Sequence, residues 1–95
     1  MPKAYWIGRI DVSDLDAYKQ YVAANAKAFG KYGAKFLVRG GKTETREGSS
    51  RARNVIIEFE SLAVAHDCYH SPEYQRAVAI RQKVADGEIV LVEGI

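Results

Sequence analysis

The chain has 95 residues, a net charge of +2 and a single cysteine, Cys68. This length predicts one domain, residues 1–95, with a core of modest size. The small net charge gives no reason to expect nucleic acid or a membrane surface as a partner. A lone thiol suits a reducing compartment, and neither a signal peptide nor an apolar run of about 18 residues is present. We therefore expect a cytoplasmic protein.

The first half of the chain alternates between strand and helix patterns. Residues 4–12 have the two-residue alternation of a strand, and Ser13 is a typical helix N-cap. Gly33 ends the predicted helix, and a second strand at 35–39 is closed by two glycines. Apolar residues in the helix recur at three- and four-residue steps, which predicts one buried face: Leu15, Tyr18, Val22, Ala26, Phe29 and Tyr32.

The second half begins with a polar stretch at 42–53 that predicts an irregular strand and a flexible hairpin tip. A third strand follows at 54–59, and Ser61 caps a short helix. Ser71 and Pro72 then start a new helical segment that runs to about residue 85, before a last strand at 88–93. The order β-α-β-β-α-β predicts a ferredoxin-like α+β fold, in which both helical regions cover one face of a four-stranded antiparallel sheet.

The predicted sheet is apolar on both faces. Its helix side is predicted to carry Trp6, Ile10, Phe36, Val38, Val55, Ile57 and Phe59. The opposite parity still has Tyr5, Ile7, Leu37 and Ile56, where a monomer would have polar residues. Burying those four in two subunits contributes about 12–24 kcal/mol gross, against an association cost of about 4–15 kcal/mol. We therefore expect a homodimer that forms through this sheet face.

The same second parity also carries charges of both signs: Arg9, Asp11, Arg39 and Glu58. Charges that become buried must be paired or solvated. One interpretation is a salt-bridge network that fixes the register of the dimer. The other is a polar pocket in which Arg39 or Arg9 binds a carboxylate. All four are therefore candidate substrate-binding residues, and both interpretations stay open.

A second candidate site lies between the sheet and its helices. Trp6 and Tyr74 are candidate binding residues there, and tyrosine hydroxyls are expected to point into a cavity beside Trp6. The candidate catalytic residues are Tyr18, Tyr69 and His70, with His70 as a general base. His66 and His70 have the i, i+4 spacing of a metal-binding pair, but we expect two partly exposed histidines instead. Neither a metal nor a cofactor is predicted.

Five segments together resemble one known family. They are AYWI…DV at the start, FLVRGG at 36–41, VIIEF at 55–59, SPEYQ at 71–75 and LVEG at the end. The family is a domain of unknown function in short bacterial proteins, within the dimeric α/β-barrel superfamily, and the resemblance covers essentially the whole chain. It implies two ferredoxin-like subunits whose sheets pack face to face. The superfamily includes cofactor-free monooxygenases, lactone isomerases and haem-dependent chlorite dismutases, but a shared fold does not carry one activity.

These observations predict a homodimer that binds a small aromatic or carboxylate-bearing metabolite, as a cofactor-independent enzyme of oxygenase or isomerase type. The alternative is a non-catalytic dimer that binds a ligand or is purely structural. An RNA-recognition domain shares the element order but stacks bases on aromatic rings of its central strands. Residues 54–59 offer aliphatic side chains and an acid there, so RNA binding ranks third.

Overall fold

The computed structural model describes residues 2–95. Its strands are β1 (Ala4–Val12), β2 (Lys35–Arg39), β3 (Arg53–Phe59) and β4 (Ala85–Glu93), and its helices are α1 (Leu15–Lys31), α2 (Leu62–His70) and α3 (Pro72–Arg81). The strands form one antiparallel sheet in the order β2-β3-β1-β4. This is the predicted ferredoxin-like α+β fold, with the second helical region divided at Ser71. None of these three helices combines the length and the hydropathy that a membrane crossing needs.

Helix boundaries follow the side chains that cap them, with one difference from expectation. Asp14, not Ser13, is the N-cap of α1, because its carboxylate accepts a hydrogen bond from the Ala17 backbone N–H at 3.1 Å. The Ser13 hydroxyl instead donates to the Val84 carbonyl at 2.9 Å and ties the end of β1 to the start of β4. The predicted N-caps of the other two helices are confirmed: Ser61 and Ser71.

The buried face of α1 is turned relative to the one predicted from apolar spacing. Leu15 is 65% exposed, whereas the polar Asn25 is only 7% exposed. The face that packs inward is formed by Tyr18, Tyr21, Asn25, Ala28 and Phe29. Because Tyr21 contacts Tyr74 of α3 and Phe29 contacts the core indole, these aromatic contacts fix the rotation of the helix.

A β-bulge in β2 reverses which side chains face the helices. Phe36 lies opposite Ile57, but the residue opposite Ile56 is Val38, and Arg39 then lies opposite Val55. One extra residue in a strand shifts all later side chains to the other face. The predictions that Val38 faces the helices and that Arg39 faces away from them are therefore wrong. Arg39 points to the helix side of the sheet.

Trp6 stands at the centre of the core between the sheet and the helices. It is 2% exposed, and its ring centroid lies 4.8 Å from that of Tyr74 and 5.4 Å from that of Phe29. Phe59 stacks on its other side at 5.7 Å. Phe29 thereby brings α1 against this ring, and Tyr74 brings α3 against it.

We call the side of the sheet without helices the open face. Its middle is one continuous aliphatic row across all four strands: Val90, Ile7, Ile56 and Val38. Val90 is 54% exposed in the single chain, and its neighbour Val92 is 42% exposed. Such a row on an uncovered sheet face is typical of a surface that binds another protein surface.

Candidate functional site

A cleft of about 320 Å³ separates α1 from the sheet. Its floor contains Gly8, which lies between Ile89 and Val55 in the row of the sheet that ends at Arg39. A Cβ added at Gly8 would meet its neighbours only at ordinary contact distances of 3.9–4.0 Å. The missing side chain therefore leaves space rather than avoiding a clash. A volume near 300 Å³ is at the lower end of those that hold small molecules.

Two arginines carry the charge of the cleft. Arg39 ends β2 and Arg53 begins β3, so both lie at the same end of the sheet, where loop 40–52 leaves it. The Arg39 guanidinium lies 3.8 Å from the centroid of the Phe36 ring. Neither arginine forms an ion pair within residues 2–95, and the cleft lining holds no carboxylate. The cleft therefore presents uncompensated positive charge beside an aromatic surface.

Gly40 leaves room for the Arg53 side chain. Its φ of +66° lies in the left-handed region, which favours glycine. A Cβ at this residue would stand 2.5 Å from Nη1 of Arg53. The guanidinium thus lies directly over the turn, and its Nε is buried with no hydrogen-bond partner among the described residues. An orphaned buried donor is costly, so this arginine has hydrogen-bonding capacity to offer a ligand.

The roof of the cleft is the inner face of α1, including Tyr18, Tyr21 and Asn25. The Tyr18 ring centroid lies 5.6 Å from the Arg53 guanidinium carbon. Burial raises the pKa of Tyr18, and Arg53 offsets only part of that effect. Tyr18 is therefore a protonated phenol at neutral pH and can donate a hydrogen bond to an anion.

A buried hydrogen-bond network stands behind the cleft. The hydroxyls of Tyr21 and Tyr74 are 2.7 Å apart, and Nη1 of Arg81 donates to Tyr74 at 2.8 Å. Tyr74 is fully buried, and burial, together with the neighbouring Tyr21, raises its pKa well above the ordinary value of 10.0. Tyr21 lines the cleft, whereas Tyr74 lies behind it and supports both Tyr21 and Trp6.

Replacing Tyr74 by phenylalanine is expected to cost about 1–3 kcal/mol of unfolding free energy at pH 8, because Tyr21 and Arg81 lose a buried partner. The folded-state pKa of Tyr74 is raised, so the unfolded chain ionises first once the pH passes 10.0. The stability that Tyr74 contributes to the wild-type protein is therefore fully present below pH 10.0 and decreases above it. Urea unfolding at pH 8 and near pH 11 should give a smaller penalty for Tyr74→Phe at the higher pH. A penalty that grows with pH would contradict this account.

Two candidate catalytic residues lie away from the cleft. His70 is exposed on α2, and its ring centroid is 4.4 Å from that of the equally exposed His66. Tyr69 is half-buried against Trp6 at 5.6 Å and does not line the cleft.

Burial raises the pKa of the Cys68 thiol to about 12, so it is not a nucleophile at neutral pH. Within the described chain, no three His, Cys, Asp or Glu side chains group closely enough to hold a metal ion.

The other candidate binding residues form separate ion pairs and hydrogen bonds on the open face. Asp11 accepts from Arg51 at 2.9 Å, and Arg51 also donates to Glu88 at 2.9 Å. Glu58 lies 3.6 Å from the amine of Lys3, on the other side of the aliphatic row from Asp11. Arg9 reaches the Ser49 carbonyl at 3.4 Å. The predicted charges therefore flank the apolar row rather than cross it, and Arg39 is not among them.

The residues that sequence reasoning missed at these sites include Asn25, Arg51 and Arg53. Arg53 had a usable signal, since it continues the two-residue alternation of Val55, Ile57 and Phe59 backward by one step. Arg51 had none, because its contacts depend on the path of an irregular loop. Trp6, Tyr18 and Arg39 are brought together at the cleft, as lining residues of one cavity.

Solved structures with this architecture support the fold assignment. A protein of unknown function from Rhodopseudomonas palustris has 18% identity and a TM-score of 0.81, over 99% of this chain and 83% of that one. SnoaB, a cofactor-independent oxygenase from Streptomyces nogalater, has 12% identity and a TM-score of 0.66, over 100% and 95%. A dimeric ferredoxin-like protein of unknown function from Thermobifida fusca has 16% identity and a TM-score of 0.66, over 98% and 92%. At these identities the similarity establishes the fold alone.

The fold and the site therefore define the class of protein: a ferredoxin-like α+β protein with a cleft between its first helix and its sheet. Residues 3–95 match the profile of a domain of unknown function, DUF1330, and the chain belongs to that family. No protein with a curated description is similar to it in sequence.

Proposed function

We propose that the protein binds a small aromatic acid in the cleft between α1 and the sheet. The observation that carries the proposal is the pair Arg39 and Arg53, two guanidiniums without an ion-pair partner in residues 2–95, in a cavity whose lining has no acid. Guanidinium groups bind carboxylates through paired, charge-assisted hydrogen bonds. The remaining surface is mostly aromatic and aliphatic, which suits a planar ring.

The proposal includes a homodimer that forms through the open face. The aliphatic row Val90, Ile7, Ile56 and Val38 supports it, since an uncovered row of this kind is costly in water. The dimeric ferredoxin-like protein from Thermobifida fusca is consistent with that assembly. The row also argues against RNA binding, because its four aliphatic side chains offer no ring on which a base could stack. In such a dimer the two clefts lie on the outer sides of the two sheets.

Catalysis on the bound acid is the second candidate function, and the same two arginines favour it. Guanidiniums that hold a carboxylate also stabilise the negative charge of an enolate or phenolate. SnoaB is a cofactor-independent oxygenase of the same fold. The cleft lining has no imidazole, amine or carboxylate to remove a proton, so a substrate must arrive ionised. Oxygen uptake with hydroquinone-type aromatic acids, over a pH series that reaches the ionisation of their hydroxyls, tests this candidate. A rate equal to the protein-free rate at every pH would remove it.

Isothermal titration calorimetry with 2-naphthoate and its uncharged analogue 2-naphthamide tests the binding proposal. The acid is expected to bind about tenfold to a hundredfold more tightly, since each charged hydrogen bond contributes about 1.5–3 kcal/mol. Gly8→Val fills the floor of the cleft and should abolish this binding while leaving the melting temperature equal or higher, because glycine weakens a strand interior. Equal affinities for acid and amide, or unchanged binding to Gly8→Val, would overturn the proposal.

A further inference from the structure

The least expected residue in the cleft is Asn25. It lies in the middle of α1, about one helical turn from each of two buried aromatic residues, Tyr21 and Phe29. It is 7% exposed and lines the cleft, yet its amide takes part in none of the hydrogen bonds found among residues 2–95. Asparagine is also a poor helix former. A leucine or alanine would serve the fold better at this position.

Arg53 Nε is the enclosed polar atom without a partner among the described residues, so the Asn25 amide opens into the cleft, where a polar group of a ligand can replace water. The amide offers one acceptor oxygen and two donor hydrogens. A hydroxyl or carbonyl group matches that set, whereas a carboxylate is better held by the two arginines. Asn25 and the arginines therefore require different groups of one ligand.

The positions along α1 indicate how far apart those two groups lie. Tyr18, whose ring is 5.6 Å from the Arg53 guanidinium, precedes Asn25 by about two helical turns. At 1.5 Å per residue this separation is about 10 Å along the helix axis. A single ring that carries both groups is too short to span it, whereas two fused rings come close.

We infer that Asn25 recognises a hydroxyl or carbonyl group on the ring remote from the carboxylate, which makes the ligand a hydroxylated or oxo two-ring aromatic acid. This inference rests on the proposed function of the cleft and adds the substrate class. Asn25 acts in recognition and has no part in a chemical step. Its amide forms a hydrogen bond with a neutral polar group that the arginines do not contact.

Calorimetry with 2-naphthoate and its second-ring monohydroxy isomers tests the inference. At least one isomer should bind wild-type protein about tenfold more tightly than 2-naphthoate. Asn25→Leu should remove that gain and leave the affinity for 2-naphthoate itself within about threefold. Asn54→Leu, an asparagine on the open face, is the matched control and should keep the gain.

Three results separate the inference from the proposal beneath it. The assignment of Asn25 is wrong if 2-naphthoate binds but no second-ring isomer binds more tightly. It is also wrong if the tighter binding persists in Asn25→Leu. In both cases the cleft proposal stands. If none of the acids binds wild-type protein, the proposed function itself fails. The melting temperature of Asn25→Leu is a further readout and should rise, because leucine is the better helix former in the middle of α1. Asn25→Ser replaces that variant in calorimetry if leucine does not fold.

Discussion

Arg39→Ala is expected to weaken the binding of an aromatic acid about tenfold to a hundredfold, and Arg53→Ala by a similar factor. Each substitution removes charge-assisted hydrogen bonds worth about 1.5–3 kcal/mol, at about 1.4 kcal/mol per tenfold change in Kd. Because both guanidiniums hold the same carboxylate in the proposed complex, the double variant should lose less than the sum of the two effects. Calorimetry with 2-naphthoate on the two single variants and the double variant measures all three losses.

The matched control for these variants is Arg46→Ala. Arg46 lies in loop 40–52, is exposed, and pairs with Glu44 at 2.7 Å. Its removal changes the net charge by the same amount without touching the cleft lining. Arg39 forms no ion pair within the described residues, so Arg39→Ala should unfold at nearly the wild-type temperature. Loss of affinity in Arg46→Ala equal to that in Arg39→Ala would mean that overall charge, not the cleft, governs binding.

Ile7→Asp is expected to convert the proposed dimer into monomers. Ile7 lies at the centre of the aliphatic row, and both subunits bring it to the open-face interface in the proposed assembly. Losing two buried side chains of about 1.5–3 kcal/mol each weakens association by about 10²- to 10⁴-fold. The two aspartates add the cost of burying like charges in an apolar surface. Sedimentation velocity over a concentration series measures the shift.

Leu15→Asp is the control for the dimer variant. Leu15 is 65% exposed at the start of α1, on the opposite side of the sheet, and the change adds the same charge. It should leave the dimer intact. A wild-type protein that sediments as a monomer at high micromolar concentration, or an Ile7→Asp variant that stays dimeric, would remove the open face as the interface.

The fold follows from signals that act over a few residues. Alternation defines β1 from Ala4 to Val12, and Gly33 has the positive φ of 67° that a helix end requires. Ser71 followed by Pro72 divides the second helical region as expected. These features depend on local sterics and capping, so a single sequence is enough to predict them.

The candidate site was less predictable because it depends on two departures from regular patterns. Residues 36–38 of β2 are all apolar, so nothing in the sequence indicates the bulge that turns Arg39 toward the helices. Asn25 interrupts the apolar face of α1, and periodicity arguments pass over a polar residue at a buried position. Of the four charges predicted for the dimer interior, Arg39 therefore lies on the other side of the sheet, where the proposed anion site is.

A crystal structure of the protein with the tightest-binding naphthoate tests the central claim most directly. The carboxylate should lie within hydrogen-bond distance of both Arg39 and Arg53, with the ring system against Trp6 or Phe29 under α1. The hydroxyl of a second-ring isomer should meet the Asn25 amide. Density for the acid on the open face beside Arg9, with an empty cleft, would contradict the account and restore the dimer interior as the binding site.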